Sequence, residues 1–143
     1  MKKALNFIID WVWQLPQNLC GIVWKSIFKE NRIEKVENTD SRSVDAEVYL
    51  QRNRGGVTLG KYIFINQDYK DKYMVIKHEC GHVKQSKILG PLYLIVIGIP
   101  SIIHAWLNNY IGCCISYKDG KRVYNYHHFY TEKWADKLMG VQR

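Results

Sequence analysis

The sequence predicts a single α+β domain, and three observations carry that expectation. His78, Glu79 and His82 stand at helical spacing, and no glycine or proline interrupts the run from Gln67 to Cys80 that leads into them. Two runs ahead of it, Val44–Leu50 and Val57–Ile65, carry strand signals, and further helical patterns open and close the chain. At 143 residues the length suits one hydrophobic core. A hydrophobic fraction of 47%, with five Trp and ten Tyr, supplies that core and argues against intrinsic disorder.

Met1 to Lys29 reads as two helical pieces meeting at Pro16. Asn6, Asp10, Gln14 and Asn18 recur every four positions, while Phe7, Ile8, Ile9, Trp11, Val12, Trp13 and Leu15 fill most of the remaining circumference. A wide apolar face beside a narrow polar stripe needs a cover. Residues 1–29 can find it on the rest of the domain or in a bilayer interface, helped by Lys2, Lys3, Lys25 and Lys29 with tryptophans at headgroup level. A cleavable signal peptide fits poorly, because Asp10 interrupts the apolar region and no Ala-x-Ala-like site follows. Glu30 to Arg42 is polar and charged and reads as a linker leading into a core over 44–143.

Val44, Ala46, Val48 and Leu50 alternate with Asp45, Glu47, Tyr49 and Gln51, the period of a strand. Asn53-Arg54-Gly55-Gly56 is turn chemistry, so Val57 to Ile65 is expected to complete a hairpin beside the histidine helix. Ile88 to Tyr117, an apolar insertion, holds no Asp, Glu, Lys or Arg, and within it Pro91 to Leu107 is about long enough to cross a bilayer. Gly98, Pro100, His104 and Asn108 favour a re-entrant or interfacial hairpin bent near Gly98 and Pro100, with a buried pair of core helices as the alternative. Lys118-Asp119-Gly120-Lys121 predicts a two-residue turn between Ile115–Tyr117 and Arg122–Tyr124. The last helix is expected from about His127 to Met139, stopping near Gly140.

The chemistry lies in Lys77-His78-Glu79-Cys80-Gly81-His82. Four positions apart on a helix, the two imidazoles share one face and can reach one metal ion, for which zinc is well suited. Glu79 can then take a proton from a water acidified by that ion and hand it to a leaving amine, without a covalent intermediate. A catalytic zinc usually takes three protein ligands and leaves a position open. Glu132 is the preferred third ligand, with His128 as its rival one turn earlier. Asp136, one turn after Glu132, can accept the free N–H of a ligating histidine and set its tautomer. A donor to the developing oxyanion is sought among Tyr124, Tyr126, His127 and His128, with Tyr124 and His128 foremost.

His78-Glu79-x-x-His82 followed by Glu132-x-x-Ala135-Asp136 resembles the gluzincin pattern, most closely the membrane-associated zinc peptidases that process prenylated proteins or act in heat-shock quality control. The resemblance covers about half the chain, mainly Leu59 to Leu138. It implies a small zincin-like domain, with zinc on His78, His82 and Glu132, Glu79 as general base and Asp136 behind the ligands. It also implies a peptide or protein substrate added as an antiparallel strand to a sheet edge, and apolar helices inserted between box and third ligand. A catalytically inactive zincin-fold protein, acting as a membrane-binding or regulatory partner, is the alternative.

The formal charge of +8 suits an anionic membrane surface. Lys and Arg form no periodic stripe with interleaved aromatics, so nucleic acid is not expected as a partner. The box helix itself is too charged for hydrocarbon, which places the site outside the bilayer. Cys20, Cys80, Cys113 and Cys114 lack the spacing of a zinc ribbon or redox motif, and a reducing, cytoplasm-facing setting is expected.

Overall fold

The computed structural model describes residues 2–28, 32–36, 39–52, 55–69 and 72–142. Their order is α1 (Lys2–Ile8), a π-helical turn (Ile9–Trp13), α2 (Leu15–Ile27), β1 (Arg32–Val36), α3 (Thr39–Ser43), β2 (Glu47–Gln51), β3 (Gly56–Leu59), β4 (Tyr62–Asn66) and α4 (Lys72–Leu89). A 3-10 turn (Gly90–Leu92) and a π-helical turn (Leu94–Gly98) lead into α5 (Ile99–Ile111). The hairpin β5 (Ile115–Lys118) and β6 (Lys121–Tyr124), a 3-10 turn (Tyr126–His128) and α6 (Tyr130–Met139) complete the α+β architecture.

The main sheet is mixed, in the order β1-β2-β4-β3. The sequence suggested one hairpin between Val44–Leu50 and Val57–Ile65, and the pairing is different. The second run breaks at Gly60-Lys61 into β3 and β4, which pair antiparallel with Leu59 opposite Tyr62. Gly60, at φ 63, takes the left-handed position of that two-residue loop. β4 then pairs parallel with β2, Val48 opposite Ile63. Of the expected Asn53–Gly56 turn, Asn53 and Arg54 lie outside the described residues. The expected linker 30–42 instead contains β1, which pairs antiparallel with β2, and the short α3. A charged segment becomes a strand there because β2 presents it an open ladder.

Two apolar layers sandwich the sheet. Val44, Val48, Ile63, Ile65, Ile76, Cys80 and Val83 form the core beneath α4. Tyr49, Tyr62 and Phe64 pack on the opposite face with Ile22 and Trp24 of α2. α2 can come this close because Gly21 has no Cβ; one placed there would sit 2.9 Å from the Leu59 carbonyl oxygen.

From Asp10 to Asn18 the N-terminal segment buries its polar stripe. Asp10, Gln14, Gln17 and Asn18 are buried, whereas Leu5, Phe7, Ile8, Val12, Leu19, Val23 and Ile27 are exposed. Most of the inward polar atoms bond to one another or to the 86–90 segment, although Gln17 Oε1 is buried without a partner among the described residues. Gln17 Nε2 donates to Ser86 Oγ and the Gly90 carbonyl, Ser86 Oγ donates to Gln14 Oε1, and Gln14 Nε2 donates to Asp10. The helical join falls at Gln14, with Pro16 in the first turn of α2.

The insertion contains one continuous helical run, neither a bent hairpin nor a buried pair. Leu94–Ile111 is long and apolar enough to cross a membrane, and only 6% of it is buried. Pro100 causes no break. The Val96 carbonyl, deprived of the amide four residues on, accepts a hydrogen bond from Tyr130 Oη at 2.6 Å, and a π turn passes through this region. The Asp119-Gly120 turn is as expected, both residues at positive φ. α6 starts at Tyr130, three residues later than expected, and ends on left-handed Gly140.

Candidate metal centre

α4 and α6 cross at Gly81, where any Cβ would collide with the Ala135 carbonyl. That close approach sets the His-Glu-x-x-His face of α4 against the Glu132–Asp136 face of α6. His78, His82 and Glu132 are all buried, and their ligand atoms lie within 4.8 Å of one another. His78 Nε2 is 3.1 Å and His82 Nε2 3.6 Å from the same oxygen, Glu132 Oε2.

Both imidazoles are oriented from behind. His78 Nδ1 donates to Asp136 Oδ1 at 2.6 Å, and His82 Nδ1 donates to Gln85 Oε1 at 2.7 Å. The Gln85 amide is itself fixed, because its Nε2 donates to the Thr131 carbonyl at 2.8 Å. Protons held on both Nδ1 atoms leave Nε2 lone pairs pointing at a carboxylate oxygen. Three converging electron-rich atoms need a cation between them or an extra proton, so the donor set fits a metal ion. The other carboxylate oxygen, Glu132 Oε1, accepts from Thr131 Oγ1 at 3.1 Å and Ser101 Oγ at 3.3 Å.

Without an ion, the extra proton resides on His78. Burial opposes its charge, but the bonds to Asp136 and Glu132 outweigh that and push its pKa up to about 9. Burial likewise opposes charge on Glu132, yet the His78 and His82 imidazoles hold it far below the usual carboxylate range.

Glu79 is buried beside the ligands, and Thr58 Oγ1 of β3 donates to its Oε2 at 2.6 Å. Gly56, on the same strand, leaves room for Glu79; a Cβ there would strike its carboxylate. Among the expected residues, His78, Glu79, His82, Glu132 and Asp136 thus come together. His128 is exposed and belongs to none of the metal-binding groups found among the described residues. His127 is the nearer neighbour: its ring lies 5.6 Å from that of His78, and it can join His78 and Asp136 around an ion. The Tyr124 side chain lies outside the described residues. Gln85, Thr58, Thr131 and Ser101 were not foreseen. Only Gln85 had a local signal, three positions after His82 on the same helix face.

Comparisons with protein-family models, with curated proteins and with solved structures return no match for this chain.

Proposed function

We propose that this protein is a zinc-dependent peptide hydrolase of gluzincin type, with a zincin-like fold seated on or in a membrane. The observation carrying this reading is the convergence of His78 Nε2, His82 Nε2 and Glu132 Oε2, with Asp136 and Gln85 holding the two Nδ1 protons away. Zinc bound there supplies a Lewis acid that acidifies water and polarises a carbonyl. Glu79 accepts the proton of the attacking water and returns it to the departing amine. Thr58 keeps the Glu79 carboxylate aimed while that proton is in transit. The inverted N-terminal helices and the exposed Leu94–Ile111 run support the membrane setting, because water rewards neither arrangement.

The deciding experiment joins zinc analysis with one substitution. Purified protein should contain one zinc lost in Glu132→Ala, and Glu79→Gln should keep that zinc while peptide cleavage drops at least about a thousandfold. An unchanged cleavage rate in Glu79→Gln excludes the base assignment.

A second reading, a silent zincin-fold membrane binder, is favoured by one contact. The two-residue Gly60-Lys61 loop makes Leu59 and Tyr62 a hydrogen-bonded pair, so Thr58 turns its backbone groups to the free edge of β3. Tyr93 Oη already donates to the Thr58 carbonyl there, at 3.3 Å. A substrate strand added at that edge must displace it. A proteome-derived peptide library left uncut by zinc-loaded protein, in detergent and in vesicles, would select this second reading.

A further inference from the structure

We propose that His104, Cys113 and Cys114 form a second metal site, selective for a soft d10 cation such as zinc or copper(I), where the end of α5 folds back on itself. Cys114 Sγ is 3.0 Å from His104 Nε2, and Cys113 Sγ is 3.5 Å from Cys114 Sγ. All three ligand atoms lie within 4.8 Å of one another. Metal–sulfur bonds of about 2.3 Å and metal–nitrogen bonds of about 2.0 Å place ligands around one ion roughly 3.5–4 Å apart. The two separations that involve Cys114, 3.0 and 3.5 Å, lie within about half an ångström of that spacing.

The ligands are held in place by groups that do not bind the ion. α5 ends on Gly112 in the left-handed conformation, φ 62, with its amide donating to the Asn108 carbonyl at 3.0 Å. The chain then reverses, and Ile115 N–H donates to the Gly112 carbonyl at 2.9 Å. The Cys114 carbonyl accepts from the Asn125 amide at 2.7 Å, which ties the cysteine pair to the end of β6. The His104 ring stacks nearly parallel to Tyr126 at 4.6 Å and Phe129 at 4.1 Å. Two backbone anchors and two aromatic faces preorganise the three ligands.

Access and chemistry agree with this assignment. All four cysteines are free, and Cys113 is exposed while Cys114 is buried, so an ion can enter from the Cys113 side. Two thiolates and one imidazole are much softer than the two imidazoles and carboxylate of the first centre, and sulfur selects zinc, cadmium or copper(I). An ion here ties His104 of α5 to the turn that leads into β5, and the His104 ring stacks on Phe129, the residue immediately before α6. It therefore braces the start of the helix that carries Glu132.

Cadmium is the probe, because its thiolate charge-transfer absorption reports sulfur ligands only and is blind to the first centre. The full-length protein in detergent should take up one equivalent of cadmium with that absorption. Cys113→Ser/Cys114→Ser should abolish it, His104→Gln should weaken binding at least tenfold, and Cys20→Ser should leave it intact. Cadmium-113 NMR of the unaltered protein, which needs no variant to fold, should show one resonance shifted downfield by two sulfurs. Absence of that resonance, survival of the absorption in the double serine variant, or indifference to His104→Gln overturns the proposal.

Discussion

At the residue scale, the centre is built on paired polar contacts, and each ligand depends on a second residue behind it. Asp136 is the clearest case, 2.6 Å from His78 Nδ1. Asp136→Asn should weaken zinc binding by about 10–100-fold while preserving the fold, as a competition titration with a chelator would measure. An unaltered affinity would show that the His78 tautomer is set elsewhere. The His78 proton also makes metal affinity depend on pH. With its pKa raised to about 9, that proton must leave before Nε2 can ligate. Apparent affinity should rise about tenfold per pH unit from neutrality and level off above about pH 9. The same raised value stabilises the metal-free fold fully below the unfolded imidazole pKa, near 6.5. That contribution should fade as pH climbs through about 9, visible as a falling melting temperature in chelator-treated protein. The ligand pair and Glu79 were legible because helical spacing alone puts them on one face. Thr58 was not, since its bond to Glu79 spans 21 positions and leaves no local pattern.

At the scale of elements, the decisive feature is how closely α4 and α6 approach. Gly81 lies directly against the Ala135 backbone, so Gly81→Ala forces the helices apart. This substitution should cost about 1–3 kcal/mol in denaturant unfolding and lower zinc affinity with it, since the two ligand sets sit on the separated helices. Full stability in that variant would mean the crossing is not close-packed. The glycine was visible in the box, but its partner was not. The sheet shows the same division. Strand residues in β2 and β4 were apparent from their composition, whereas their parallel pairing was not. A period of two indicates which residues share a face and carries no information on direction or neighbour. The apolar insertion differs from its expected bend for a related reason. Pro100 argued for a bend, and a tyrosine 30 positions later satisfies the carbonyl that proline leaves unpaired.

At the scale of the whole molecule, the distribution of apolar surface is inverted at two places. Ile102 is 68% exposed and Val12 is 65% exposed, while Gln14, Gln17 and Asn18 are fully enclosed. An apolar bilayer makes that arrangement favourable and bulk water makes it costly. Introducing Val12→Asp and Ile102→Asp should release the protein from anionic vesicles in a flotation assay, leaving zinc content unchanged, because neither residue touches the metal centre. Retention on vesicles with both charges present would argue that these faces meet protein. The replacement Gln17→Leu should destabilise the fold by about 1–3 kcal/mol in denaturant unfolding, as it removes two buried hydrogen bonds, to Ser86 Oγ and to the Gly90 carbonyl.

By itself the sequence determined the α+β class, the His78–His82 pair with its neighbouring glutamate, the Asp119-Gly120 turn and the helix stop at Gly140. The class follows from the order of periodic runs along the chain, and the other three depend on residues within about one turn of each other, where backbone geometry leaves little choice. Tertiary structure decided the rest: that Glu132 and Asp136 meet the histidines, that Gln85 and Thr58 support the site, and that the polar stripe of the N-terminal helices faces inward. A helical period says which side chains stand together on a face. The medium or partner that covers the face is chosen only when the chain closes on itself.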